Sequence, residues 1–496
     1  MAIFHNTVRP SPHPFGLPGQ RHPLHAIEEF METLRKGDTV ELDIRKMTYG
    51  GQSLARIDNF VVFVRGAVPG DRVRAVIYRK RKGFAEARIT ELLSPSEDRV
   101  EAPCPYSPYC GGCQWQHVRY EAQLAYKKAF VEESLEHIGG LKRVVVHPVL
   151  PSERLFQYRN KMEFSFSDHR WLLPSELEQG GIDTSFALGL HIPRSYHKIL
   201  AVDACLLQEH LGNEILRCVN AFAQQSGVPV YGIKSHQGFW RFLTLRRSVS
   251  LDEWMVNIVT AEERPEIMAA LTDKLVTKFP NIRTVVNNVN QGKASVAIGQ
   301  REKVFFGDGS IEDKIGPFTF HISANSFFQT NSDGAKTLYD QVLRFAELRS
   351  SDRVLDLYSG TGTIPLFLAG HSAQVVGMEI NESAVRDAER NARENGIDNC
   401  RFICGDIRKT GIPFASRPEV IVVDPPRAGM HKDVVAQILG LVPERIVYVS
   451  CNPATLARDL ELMQGLYDIR EIQPVDLFPQ TYHIEAVARL IRKVHP

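Results

Sequence analysis

Hydrophobic and polar positions change period along this chain, and the changes divide it. Residues 1–33 show no sustained period and read as a flexible N-terminal tail, in which HAIEEFMETLRKG begins a short helix ending at Gly37. Over 34–94 the period is two. Val40, Leu42 and Ile44 alternate with Glu41, Asp43 and Arg45, and NFVVFVRG, DRVRAVIYRK and FAEARITELL supply further short strands between turns. So many short strands in so few residues predict a small OB-like β-barrel. Over 95–315 the pattern is mixed α+β. A helix from about Val118 to Ile138 places Leu124, Val131, Leu135 and Ile138 on one face and stops at Gly139-Gly140. Over 316–496 strand and helix periods alternate cleanly, from SDGAKTLYDQVLRFAEL through RVLDLYSGTGTIPLFLAG, AQVVGMEI, CRFICGD and EVIVVDPPR to RIVYVSCNP. That alternation predicts a doubly wound, Rossmann-like α/β domain whose ligands sit at the carboxyl ends of its strands.

Composition changes this picture only locally. The chain has 496 residues, 43% hydrophobic and 24% charged, with a formal net charge of +1. These are ordinary globular values, and they exclude a mostly disordered chain. No stretch approaches the ~20 apolar residues of a membrane helix, and the first residues lack the apolar core of a secretion signal. A cytoplasmic protein is expected, its eight cysteines serving as thiols or metal ligands rather than disulfides. Between Arg35 and Arg88, however, 13 Lys and Arg face 6 Asp and Glu, a local net charge of +7. The densest point is Arg79-Lys80-Arg81-Lys82. A charge run is commonly just a solvated hairpin tip, but on a small barrel this excess points to nucleic acid.

The candidate chemistry gathers at strand ends. Asp356-Leu357-Tyr358-Ser359-Gly360-Thr361-Gly362 is a glycine turn between strand and helix, a weak signal by itself. The next strand ends at Glu379, 19 residues past Gly360, where a carboxylate can chelate two ribose hydroxyls. A dinucleotide fingerprint would need a third glycine where Pro365 stands. An adenosyl cofactor without phosphates fits better, S-adenosylmethionine first. Asp406, after the third strand, either reaches the adenine or caps a helix.

The fourth strand ends in Asp424-Pro425-Pro426, whose prolines stiffen the loop and fix a carboxylate at the mouth of the sheet. The fifth ends in Ser450-Cys451-Asn452-Pro453. A lone cysteine by a strand is commonly inert core, but Cys451 stands at the ligand-bearing edge and is a candidate nucleophile. Glu485 enters an otherwise apolar strand, and a buried carboxylate needs a partner or a task. A thiolate, a carboxylate and a methyl donor together suffice to methylate carbon 5 of uracil. The stretch CPYSPYCGGCQWQH gathers Cys104, Cys110 and Cys113 as thiols or metal ligands, and spacing does not separate iron–sulfur from zinc. Cys218, Cys400 and Cys404 read as buried core.

With CGGCQWQH, FFQTN at 327–331, DLYSGTG, DPPRAG, SCNPATLARDL and DLFPQTYHIEAV, the chain from about 34 to 494 resembles the RNA uracil-5 methyltransferases. The likeness is to the branch with an N-terminal TRAM barrel and an iron–sulfur cluster that acts on bacterial large-subunit rRNA. The resemblance implies Cys451 as nucleophile and Glu485 as base. It implies Gln329, Tyr358, Glu379 and Asp424 as the S-adenosylmethionine site, with Gly360 in its turn, and a structural [4Fe-4S] cluster on Cys104, Cys110, Cys113 and Cys205. The partner would be RNA, rRNA first and tRNA as the alternative, with the target uridine flipped out, and a monomer is favoured with the oligomeric state left open. An amino-methyltransferase and a non-catalytic RNA-binding assembly factor are the rivals. Two departures stand out: Ser359 where many members have cysteine, and Gln480 where histidine is common.

Overall fold

The computed structural model describes residues 34–107, 109–411 and 417–494. The start of the helix expected in HAIEEFMETLRKG lies outside them, and Leu34–Gly37 lead into the first strand without helix. By their contacts the described residues form two compact units, one ending at Glu97 without Thr48–Gly51, the other comprising Thr48–Gly51 and everything from Asp98 onward.

The first unit is a six-stranded sheet of β1 (Thr39–Asp43), β2 (Lys46–Met47), β3 (Ser53–Ile57), β4 (Phe60–Arg65), β5 (Arg72–Lys80) and β6 (Phe84–Ser94), in the order β1-β5-β6-β4-β3-β2. The period-two pattern is realised directly. In β4, Phe60, Val62 and Val64 point inward while their neighbours stay partly exposed. Val73, Ala75, Ile77, Ala85 and Ala87 complete the core from β5 and β6. Part of the positive charge is answered within the sheet, since Arg72 and Arg74 both donate to Glu41, and Arg79 to Glu86.

The second unit holds two eight-stranded sheets. After the short β7 (Val145–Val146), the central sheet uses β8 (Lys161–Ser167), β9 (Arg170–Trp171), β10 (Ala187–His191), β11 (Ile199–Ala201), β12 (Trp240–Arg247), β13 (Trp254–Thr260), β14 (Ile282–Val289) and β15 (Arg301–Phe306). Its order is β15-β14-β13-β12-β8-β10-β11-β9. The predicted helix of this region runs Tyr120–His137. A hairpin, β16 (Ser310–Ile315) and β17 (Phe318–Ser323), leads to the final sheet.

That sheet comprises β18 (Arg353–Leu357), β19 (Gln374–Glu379), β20 (Cys400–Cys404), β21 (Val420–Val423), β22 (Arg445–Ser450), β23 (Tyr467–Val475) and β24 (Glu485–Arg492). With β7 the order is β20-β19-β18-β21-β22-β24-β23-β7. The strands from β20 to β22 are parallel, whereas β24 is inserted antiparallel between β22 and β23. Apolar clusters pack on both faces, through Val354, Val422 and Val447 on one side and Leu355, Ile421 and Tyr448 on the other. Burial on both faces is why these strands read as continuous apolar runs. This is a class I methyltransferase-like α/β fold joined to a mixed α+β region and an OB-like β-rich unit. Among the described residues no helix is long and apolar enough to cross a membrane.

Candidate active site

The glycine turn leaves β18 at Tyr358, whose φ is +69°, followed by Gly360 at +53° and Gly362 at +81°. A non-glycine residue there costs on the order of 1–3 kcal/mol, so its surroundings must hold it. The N–H groups of Tyr358 and Ser359 both donate to Met378 O, at 2.9 and 3.0 Å. Gly362 is tight as well as left-handed, because a Cβ there would lie 2.9 Å from the Phe402 ring. Glu379, at the end of β19, accepts from Gly360 N at 3.1 Å and from Asn381 N at 2.8 Å. Beneath the turn, both carboxylate oxygens of Asp356 and the hydroxyl of Ser359 are buried without a partner among the described residues. Burial, with Asp424 and Glu379 near, lifts the Asp356 carboxyl well above its ordinary range. Orphaned acceptors under a backbone cradle suit a ligand carrying amine and hydroxyl donors, which S-adenosylmethionine does. The Gln329 side chain reaches Tyr339, whose hydroxyl also accepts from Thr363 Oγ1 at 3.1 Å. Asp406 caps the helix Ile407–Thr410, accepting from Arg408 N at 3.0 Å, and Arg408 holds its carboxyl below the ordinary value.

Asp424 stands at the end of β21, and burial pushes it up to about 7. The loop after it is pinned from behind. Asp459, fully buried, accepts from Met430 N at 2.8 Å and from Tyr448 Oη at 2.6 Å. Gly429 has a φ of +74°, and a Cβ there would sit 2.8 Å from Asp459 Oδ2. Asn452 links this loop to the next, donating to Arg427 O at 3.0 Å while capping the helix Pro453–Met463.

Cys451 follows the last residue of β22, and Glu485 opens β24. Antiparallel pairing sets Ser450 opposite Ala486 and Val475 opposite Glu485, which brings the thiol and the carboxylate to one rim. The Glu485 side chain is 7% exposed and makes no hydrogen bond or ion pair among the described residues. Burial, with Asp424 beside it, raises it well above the carboxylate range. Cys451 is pushed up to about 11, first by burial and then by the Glu485 charge, and Arg427 pulls it back. Arg427 donates to His483 Nδ1 at 3.2 Å, and burial with that cation next to it presses His483 down to about 3. His483 is therefore a neutral acceptor, and Arg427 remains the cation facing thiol and base. Sequence reasoning missed Arg427, His483 and Tyr49. Tyr49 Oη lies 3.4 Å from Cys451 O across 402 positions, a separation that carries no local signal.

The cysteine expectation needs correction. Cys104, Cys110, Cys113 and Cys205 do line one cavity of about 140 Å³, with Met162, Leu190 and Val202. Yet among the described residues no group of three or more His, Cys, Asp or Glu is arranged to hold a metal ion. That finding overturns the [4Fe-4S] cluster and the metal-ligand roles. The thiols make local contacts instead: Cys113 with the Gln116 side chain, and Cys205 with the backbone of Leu207 and Gln208. Cys110 Sγ accepts from Gly112 N at 3.3 Å. Of the other cysteines, Cys218 is buried, Cys400 is partly buried, and Cys404, expected in the core, is exposed.

A family model described as tRNA (Uracil-5-)-methyltransferase matches residues 268–493, and a TRAM domain model matches residues 34–90. An uncharacterized RNA methyltransferase of Chlorobaculum tepidum is 46% identical over 466 residues, covering 92% of this chain and 96% of that one. One from Halalkalibacterium halodurans is 40% identical, covering 92% and 98%. The crystal structure of Pyrococcus abyssi tRNA (uracil-54, C5)-methyltransferase with S-adenosyl-L-homocysteine superposes with a TM-score of 0.70 and 29% identity, over 91% of this chain and 100% of that one. With relatives of such identity along nine-tenths of its length, an enzyme-like rim at the strand ends and a TRAM module before it, the chain belongs to the RNA (uracil-5-)-methyltransferase family.

Proposed function

We propose that this enzyme methylates carbon 5 of a uridine in tRNA. The observation that carries the reaction is the shared rim of Cys451 and Glu485 beside the glycine turn. The choice of tRNA over the rRNA suggested by the sequence motifs rests on the family model and on the Pyrococcus abyssi enzyme, which acts on tRNA uracil-54. Gln329, Tyr358, Gly360, Glu379 and Asp424 would hold S-adenosylmethionine, which supplies the electrophilic methyl group. Asp406, whose two oxygens both accept from Arg408, would reach the adenine only by giving up part of that pairing.

The Cys451 thiolate adds to carbon 6 of the flipped uracil, forming a C–S bond and moving the ring electrons toward carbon 5 and oxygen 4. Arg427 favours the thiolate. Once carbon 5 carries the methyl group, Glu485, whose ionised form the Arg427 charge favours against burial, takes the carbon 5 proton. The double bond re-forms, and the C–S bond breaks to return the thiolate. The test is nucleoside mass spectrometry on tRNA and rRNA after incubation with purified enzyme and labelled S-adenosylmethionine. Label in 5-methyluridine of tRNA is expected. Label confined to rRNA would overturn the substrate, and label in no pyrimidine would overturn the reaction.

A further inference from the structure

The turn leading into Glu485 is gripped more tightly than any reaction step described above requires. Gln480 has a φ of +67°, a conformation that side-chain-bearing residues rarely adopt. Its carbonyl accepts from both Gln114 N and Trp115 N, each at 3.0 Å. Its N–H donates to Gln123 Oε1 at 3.0 Å, and its own Oε1 accepts from Gln123 Nε2 at 3.0 Å. The Gln123 amide thus bridges the backbone N–H and the side-chain carbonyl of Gln480, and both residues are buried, at 1% and 5% exposure. Gln123 Nε2 is itself aimed by the carbonyls of Trp115 and Val118, at 3.1 and 2.8 Å. One turn further along the same helix, Lys127 Nζ meets Asp476 Oδ1 at 2.7 Å and Phe478 O at 3.1 Å, both side chains of the ion pair being fully buried.

Two residues at i and i+4 of one helix therefore hold the start and the middle of the segment that follows β23 and delivers the chain to β24. Among the described residues no hydrogen bond aims the Glu485 side chain. Its direction is set by the backbone that carries it, and that backbone is set by this grip. We propose that Gln123 and Gln480 form a positioning pair that fixes the Glu485 carboxylate for proton removal. The proposal rests on the uracil-5 reading. Adduct formation needs Cys451, whereas the base is needed only afterwards, when the proton leaves carbon 5, the double bond re-forms and the C–S bond breaks. Loosening the grip therefore slows release more than attack.

The test uses the full enzyme with Gln123→Leu, which keeps bulk and removes the amide, and with Gln480→Gly, which accepts the left-handed turn without strain. Turnover is expected to fall tenfold or more, with KM for RNA within about twofold, as for a catalytic group displaced by a fraction of an ångström. A covalent protein–RNA adduct should accumulate on denaturing gels, with binding of S-adenosylmethionine unchanged. The double variant should be no worse than the poorer single one, because the two residues act as one unit. Undiminished turnover in either folded variant overturns the pair. So does lost turnover without adduct and with lost cofactor binding, which marks general damage. Wild-type enzyme forming neither methylated uridine nor adduct removes the functional reading, and with it any catalytic role for the pair.

Discussion

Two groups of buried thiols in one unit share one electrostatic setting and differ in place. Burial pushes Cys451 and Cys110 alike up to about 11, and an arginine opposes it in each case, Arg427 beside the first and Arg159 beside the second. Cys451, however, stands at the rim of the sheet with a carboxylate on the neighbouring strand, whereas Cys104, Cys110, Cys113 and Cys205 line a largely apolar cavity. A cysteine's use is decided by its place on the sheet and by the groups that share its rim, more than by the company it keeps in sequence.

The sharpest way to break this contrast is exchange at both places. Cys451→Ala should lower turnover about 10⁴-fold or more, while Cys110→Ala should leave turnover within about twofold and cost about 1 kcal/mol of stability for the lost packing. Steady-state rates and thermal melts check both. Next in size, Glu485→Gln should slow turnover roughly 10²- to 10⁴-fold, the range for a lost general base, and trap the adduct on denaturing gels. Arg427→Ala should cost about tenfold at neutral pH, as one removed charge contact of about 1.4 kcal/mol would. The deficit should shrink at high pH, where the thiolate forms without help. A deficit constant across the pH range would mean that Arg427 acts on the RNA instead.

The smallest effect is on stability. Folded Asp424 keeps its proton up to about 7, whereas the unfolded chain releases it near 3.8. Its contribution is therefore fully present below the lower value, fades as pH rises between the two, and is lost above the higher. Asp424→Asn should raise the melting temperature at pH 8 by a few degrees, about the effect of 1 kcal/mol, and leave it nearly unchanged at pH 4. A drop at pH 8 would show that the ionised carboxylate is satisfied there.

What the sequence made legible was local. The glycine turn, Asp-Pro-Pro and the strand-ending cysteine each mark a strand terminus within a few residues, so Glu379, Asp424 and Cys451 could be placed before any coordinates. Glu485 was found because a charge in an apolar strand is costly wherever that strand lies. The resemblance named four cysteines that do line one cavity, but as a metal cluster the reading failed, because a cysteine pattern says nothing of the direction in which sulfur atoms point. The reversal of β24, the contact of Tyr49 with Cys451 and the Gln123–Gln480 pair join segments hundreds of positions apart, beyond the reach of periodicity. Even the departure at Gln480, visible as an odd residue, gained meaning only when its left-handed backbone and its partner were seen together.

The reversal of β24 has one more result. In a wholly parallel sheet, every side chain at the reactive rim hangs from the tail of a strand and moves with the loop that follows it. Here the proton acceptor hangs from the head of a strand and is governed by the loop before it. Attack and release thus answer to separate stretches of chain, so a change in one loop can alter the lifetime of the bound RNA without touching how it is captured.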